Sequence, residues 1–193
     1  IPHERRRSLR GLWVFMAWLN NADTRRHNTL DGFVTEPGAT RGYLRHYLFD
    51  FGDAFGSGGI RPKHMSEGYE ERVDWRQMGV RALALGLSYP YWLKVRRSPY
   101  RSVGVFEAEV FDPSYWSPLY PNPAFEQATE RDTFWAAAIL AHMTPELIHA
   151  AVEAGRYTEE GAAAYVEDIL LARREKLLRH AFRDLLPLDD PQV

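Results

Sequence analysis

The sequence predicts an α+β chain, mostly helical, with one β-hairpin and a long extended aromatic strap. Three observations carry that reading. The run 12–19 is apolar almost all round, as a buried helix is. Two strand-like segments, 30–35 and 42–49, flank the turn formers Glu36, Pro37 and Gly38. The last third of the chain carries helix-start signals ahead of apolar residues at helical spacing.

Taken in order, residues 4–20 read as the first helix, broken by Asn20 and Asn21. No face of 12–19 is polar, so this helix is expected to be the most buried of the fold. The hairpin strands are rich in Val, Phe, Tyr and Leu. Residues 52–72 mix charges with Gly52, Gly56, Gly58, Gly59 and Gly68, and read as a mobile loop. Trp75, Met78, Ala82 and Leu85 recur at helical spacing and mark an amphipathic helix over about 75–88. From 89 to 125 the chain turns extended, proline-rich and aromatic, with Trp92, Phe106, Phe111, Trp116 and Phe125 among its rings. These are expected to pack as a strap across the helical core; the alternative is an exposed surface for a partner.

Thr129-x-x-Asp132 is a capping-box pattern for a helix reaching about Met143. Thr144-Pro145-Glu146 supplies an N-cap, a first-turn proline and an early acid for a shorter helix ending at Gly155. Thr158-Glu159-Glu160 is expected to start a long helix whose stripe includes Val166, Ile169, Leu170, Leu177 and Leu185, stopped by Pro187. These helices read as scaffold.

At 193 residues and 45% hydrophobic, the chain can bury one good core, so a single domain 1–193 is expected. Within it, 1–60 would hold the chemistry, 89–125 the strap and 129–187 the helices. Charges of 24 basic against 26 acidic make no global field toward nucleic acid or anionic lipid. The basic residues include only Lys63, Lys94 and Lys176 as lysines, read as a composition bias toward arginine. Without cysteine there are no disulfides, thiolate metal sites or thiol nucleophiles, and the compartment stays open. Arg5, Arg6 and Arg7 ahead of an apolar run superficially resemble an export signal. The run is short, contains Trp13 and Trp18, and leads into Asn20-Asn21-Ala22-Asp23 where a cleavage site would stand. It is also too short to span a bilayer, so no integral membrane segment is expected. The chain begins at Ile1 without an initiator Met, which reads as a processed piece or fragment.

The chemistry is expected between the first helix and the hairpin. Asp23 and Asn28 are five residues apart, and Asp50-Phe51-Gly52 follows one hairpin later. Asp, four residues, Asn, a hairpin and Asp-Phe-Gly is the order in which a kinase-type phosphotransferase builds its catalytic loop and metal site. A carboxylate must accept or orient the attacking hydroxyl. An amide oxygen and a second carboxylate must hold Mg²⁺ against the phosphates of ATP. Asp23 takes the first role, Asn28 and Asp50 the second. Arg25 stands where kinases usually place a lysine on the transferred phosphate, which a guanidinium can contact in bidentate fashion. His46 reads as a packed or surface residue. No His-Glu-x-x-His, Gly-x-Ser-x-Gly or Gly-x4-Gly-Lys pattern is present, and Gly56-Ser57-Gly58 has Arg61 where the dinucleotide pattern needs a third glycine.

The runs Pro2-His3-Glu4-Arg5-Arg6, Leu9-Arg10-Gly11, Trp18-Leu19-Asn20, Asn28-Thr29-Leu30-Asp31 and His46 to Gly52 resemble a family of long, uncharacterised bacterial proteins. The resemblance continues through Gly104-Val105-Phe106-Glu107, Phe111-Asp112-Pro113 and Tyr120 to Phe125, and so covers most of the chain. Those proteins look kinase-like, with a longer part preceding this region. The resemblance implies no established activity; at superfamily level it implies Asp23 as base and Asn28 and Asp50 as metal ligands. Two departures stand out: Arg25 for lysine, and a longer interval from Asn28 to Asp50 than in typical protein kinases. A third is larger. Only 22 residues precede Asp23 and none is lysine, so the Gly-rich strand pair and strand lysine that cover a kinase's nucleotide are missing. The chain reads as the C-terminal lobe of a phosphotransferase that needs an N-terminal lobe, or another chain, to be active. The alternatives are a pseudokinase-like binding or structural subunit of a larger assembly, and a metal-dependent hydrolase built on Asp23, Asp31, Asp50 and Asp53.

Overall fold

Helix α1, Arg7–Leu19, lies against three others, α3 (Pro123–Glu126), α4 (Glu130–Ala141) and α6 (Ala162–Phe182), while α5 (Pro145–Ala154) packs on α6. The structure, a computed structural model, describes residues 2–85, 87 and 89–183. Val14, Ala17 and Trp18 of α1 enter the core with Ala136, Leu140, Ile148, Val166 and Leu170. Gly11 lets α1 and α4 approach closely: a methyl group there would sit 3.0 Å from the Ala136 methyl. Asn20 ends α1 in the left-handed region, at φ 50°, a conformation asparagine tolerates.

Carbonyls at the C-terminus of α1 find a buried cation. Arg173 of α6 is 1% exposed and donates to the carbonyls of Ala17, Trp18 and Glu107, with Phe111 3.5 Å beneath its guanidinium. A positive charge complements that helix end. Burial still pushes Arg173 down to about 10. At the other end of the bundle the capping box forms as expected, Thr129 and Asp132 bonding each other's backbone. Asp132 also receives Arg10, at 2.7 and 2.9 Å.

The aromatic strap is where it was expected. Phe106 and Phe111 are fully buried with Val103, and Tyr100 and Trp116 pack partly buried against the same core. Tyr89 and Tyr115 remain exposed.

Other expectations need correction. α1 is not buried on every side: Leu12, Trp13, Phe15 and Leu19 are half-buried, because Leu12 borders a cleft and Trp13 a larger pocket. Residues 52–72 are not a bare loop. They contain a minimal second antiparallel pair, β3 (Ser57–Gly58) with β4 (Arg61–Pro62), so the described residues form two hairpins. The Gly56 carbonyl accepts from both Lys63 N and Val105 N, which pins this segment to the strap. The amphipathic helix, α2 (Trp75–Leu83), ends earlier than expected, with Leu85 left-handed at φ 47°, and buries none of its residues. α6 starts at Ala162, later than expected, since Gly161 turns the chain at φ 82° and Glu159 is taken up by the Ser102 backbone N–H and hydroxyl. Leu185 and Pro187 lie outside the described residues.

The first hairpin pairs β1 (Thr29–Thr35) with β2 (Gly42–Leu48), Thr29 opposite Leu48 and Thr35 opposite Gly42. Its apolar residues are uncovered; Phe33 is 68% exposed. No described helix is long and apolar enough to cross a membrane.

Candidate functional site

The loop from Asn20 to Asn28 is fixed mainly through its backbone. Asp53 accepts from the N–H groups of Ala22 and Asp23, at 3.1 and 3.0 Å. The same carboxylate receives the Lys63 ammonium at 2.8 Å, and Lys63 also donates to the Asn20 carbonyl. Lys63 is 3% exposed. Its burial lowers its proton affinity and Asp53 opposes that shift. From the other side, the Leu119 N–H donates to the Ala22 carbonyl and the Asn122 amide to the Thr24 carbonyl. Five hydrogen bonds, from Asp53, Lys63, Leu119 and Asn122, therefore set the path of the loop before any side chain projects from it.

Asn28 closes the loop on itself. Its amide nitrogen donates to the Asp23 carbonyl at 2.7 Å, so the amide oxygen is turned away from that bond. Arg25 grips the Asp23 carboxylate with two nitrogens, at 2.6 and 2.9 Å, and lies 4.3 Å over the Tyr120 ring. That contact with Asp23 raises the Arg25 pKa further. A carboxylate held in this way keeps lone pairs for a hydroxyl and cannot swing.

The hairpin brings Asp50 back. The Phe49 N–H bonds the Asn28 carbonyl at 3.1 Å, which ties the end of β2 to the loop. Asp50 follows in the left-handed region at φ 65°, its carbonyl 3.5 Å from the Asn21 amide nitrogen. Asp23, Arg25, Asn28 and Asp50 all line one cleft against Leu12 and Met16. The four residues proposed from the sequence are together. The cleft is small, about 20 Å³. Two more of its lining residues, Asn21 and Thr24, are buried, and Asn21 Oδ1 and Thr24 Oγ1 have no hydrogen-bond partner.

The carboxylates of the hydrolase reading are otherwise engaged. Asp31 pairs with His46 across the hairpin at 2.5 Å, which gives His46 a partner, and Asp53 belongs to Lys63. Among the described residues no three His, Cys, Asp or Glu side chains gather as a metal site. A much larger cavity, about 460 Å³, lies on the Trp13 side of α1 and contains none of the four residues.

Sequence reasoning missed Asn21, Thr24, Lys63 and Asn122. Lys63 carried a signal: it is a lysine in a chain that otherwise favours arginine, and a slim ammonium is what a site closed over one carboxylate and one carbonyl can hold. Compared with family models, curated proteins and solved structures, the chain matches none.

Proposed function

We propose that this chain is the catalytic lobe of a kinase-like phosphotransferase whose nucleotide cover comes from an N-terminal lobe or another protein chain. One observation carries the reading. Asn28 bonds the carbonyl of Asp23 five residues earlier, Arg25 clamps the Asp23 carboxylate, and the hairpin returns Asp50 to the same cleft.

The donor set fits the cofactor that this chemistry uses. The amide oxygen of Asn28, the carboxylate of Asp50 and the orphaned buried oxygens of Asn21 and Thr24 are hard ligands of the kind Mg²⁺ takes. When bound, Mg²⁺ with ATP supplies charge neutralisation and the phosphoryl group. Asp23 orients the acceptor hydroxyl and takes its proton. Arg25, fixed on Asp23, presents its outer N–H groups to the transferred phosphate. Asp53 and Lys63 hold the backbone that carries both.

The space does not fit a whole nucleotide. About 20 Å³ admits a bare cation or one water-sized group, whereas small-molecule sites run to several hundred Å³. Leu48 lines the cleft and is exposed, as are Leu30 and Phe33 on the same hairpin. That apolar surface beside the cleft is what a covering lobe would bury. It equally favours the second reading, a pseudokinase-like subunit that uses the surface only for assembly. Neither reading involves nucleic acid.

Calorimetry of the isolated chain with Mg²⁺ and ATP tests the missing cover. Weak or absent binding is expected. Tight one-to-one binding would mean that the chain grips the nucleotide by itself, and the lobe reading would fall.

A further inference from the structure

The cavity of about 460 Å³ on the Trp13 side of α1 has the size of a small-molecule site. Trp13, Trp116 and Phe125 supply aromatic walls, and Glu71, Glu126 and Glu130 supply carboxylates. Fixed elements place each of them. Trp13 of α1 donates its indole N–H to the Thr133 hydroxyl of α4 at 3.2 Å. Trp116 donates to the Asn20 side chain, also at 3.2 Å, and its ring centre lies 6.3 Å from that of Phe125. Glu71 precedes Arg72, whose N–H meets the Leu119 carbonyl at 2.7 Å. Glu126 ends α3 and Glu130 begins α4.

The charge on these walls is unbalanced. Among the described residues none of the three carboxylates has an ion-pair partner, whereas the neighbouring Glu70 is paired with Arg81. Glu71 is half-buried, and burial first, then Asp74 and Glu126, raise its pKa. Glu71 and Glu126 therefore repel each other across the wall. The basic groups of the cavity stand at the end of α6 and are engaged there. Arg183 has a partner already, and His180 packs edge-on against Trp13 with its Nδ1 3.5 Å from the Ser114 hydroxyl. Among the described residues no three His, Cys, Asp or Glu side chains converge as a metal site. The negative charge is spread along the wall, so it suits an extended organic cation better than a bare ion.

We propose that this cavity binds a small organic amine, its ammonium held by Glu71 and Glu126 and its apolar body laid against Trp116 and Phe125. The carboxylates are charge-assisted acceptors for the ammonium, and the ring faces attract the cation itself. An anion would meet three like charges. A neutral apolar ligand would desolvate the carboxylates and leave them unpaired. The cavity is joined to the 20–28 loop at two points, because Trp116 bonds Asn20 and the wall residue Asn122 donates to the Thr24 carbonyl. The site stands whether or not the cleft is catalytic.

Titration of the isotope-labelled chain with phenethylamine, followed by NMR at the tryptophan indole N–H signals, tests the proposal. Trp13→Phe and Trp116→Phe assign the two signals that belong to the cavity. Binding with a Kd of about 1 mM or tighter is expected, with the Trp116 signal moving most. The neutral phenethyl alcohol, which has the same apolar body, should bind at least about tenfold more weakly. Replacing Glu71 and Glu126 together by Gln should weaken amine binding at least about tenfold. Circular dichroism should show that pair folded, since the change removes a repulsion. Glu153→Gln with Glu160→Gln, at exposed positions elsewhere, should leave binding unchanged. No shift of either indole, equal binding of amine and alcohol, binding that survives the Glu71 and Glu126 pair, or an equal loss in the control pair would overturn the proposal.

Discussion

Phe106 and Phe33 are the same residue in two different situations. Phe106 sits in the strap with no exposed surface, held among α1, α6 and Phe111; Phe33 stands on β1 with two thirds of its surface in solvent. The contrast extends to whole regions. The bundle of α1, α4, α5 and α6 with its strap closes over its own apolar side chains. The first hairpin and α2 are patterned just as regularly and close over nothing. Local pattern specifies an element, but burial needs a neighbour, and among the described residues the bundle has its neighbours while the hairpin and α2 do not. The candidate cleft lies where the two regions meet, between α1 and the base of the hairpin.

The largest test of the contrast is a pair of truncations followed by urea unfolding. Phe106→Ala should cost about 3–5 kcal/mol through the cavity it leaves. Phe33→Ala should change stability by less than about 0.5 kcal/mol. A comparable loss at Phe33 would mean that the hairpin is covered in solution by something this account leaves out.

Lys63→Met is next. It leaves the Asp53 carboxylate without its cation and should cost about 3 kcal/mol. The damage should be local as well as global, with faster hydrogen exchange at the amides of Ala22 and Asp23, which Asp53 accepts. Lys94→Met, on the exposed side, should be silent. Equal effects of the two would remove the distinction between the pinned loop and the surface.

The smallest effect lies within the bundle and depends on pH. Arg10 first, then the hydrogen bonds from Thr129, hold Asp132 well below the usual carboxylate range despite its burial. A lowered native pKa stabilises above the unfolded value, and that contribution is lost as pH falls through the native value. Asp132→Asn should therefore cost about 2 kcal/mol at neutral pH, and the gap from the parent chain should narrow below about pH 4. A constant gap would show that the effect is one of shape alone.

Much of this was legible in the sequence where the signal was local. Glu36-Pro37-Gly38 between two β-rich runs, Thr129 with Asp132, and Thr144-Pro145 are each complete within a few residues, and each formed as expected. Asp23, Arg25, Asn28 and Asp50 came together because one hairpin of known length separates them. What could not be read depends on distant partners. Arg173 looks like a solvated residue of a long helix, and nothing near it announces three carbonyls waiting 66 and more residues away. Lys63, in a glycine-rich stretch, looks exposed until Asn20 and Asp53 close over it. The spacing of Trp75, Met78 and Ala82 correctly gave a helix, but spacing alone cannot say whether anything covers it.

The central claim is that Asn28 and Asp50 share a cation in the cleft that Asp23 and Arg25 border. Mn²⁺ in place of Mg²⁺, titrated with ATP into the isotope-labelled chain, tests it by paramagnetic broadening even where binding is weak. The amides of 23–28 and 50–52 should broaden first, and Asn28→Ala or Asp50→Ala should remove the effect. Broadening centred instead on Glu71 and Glu126, in the larger cavity, and unchanged by either substitution would contradict it.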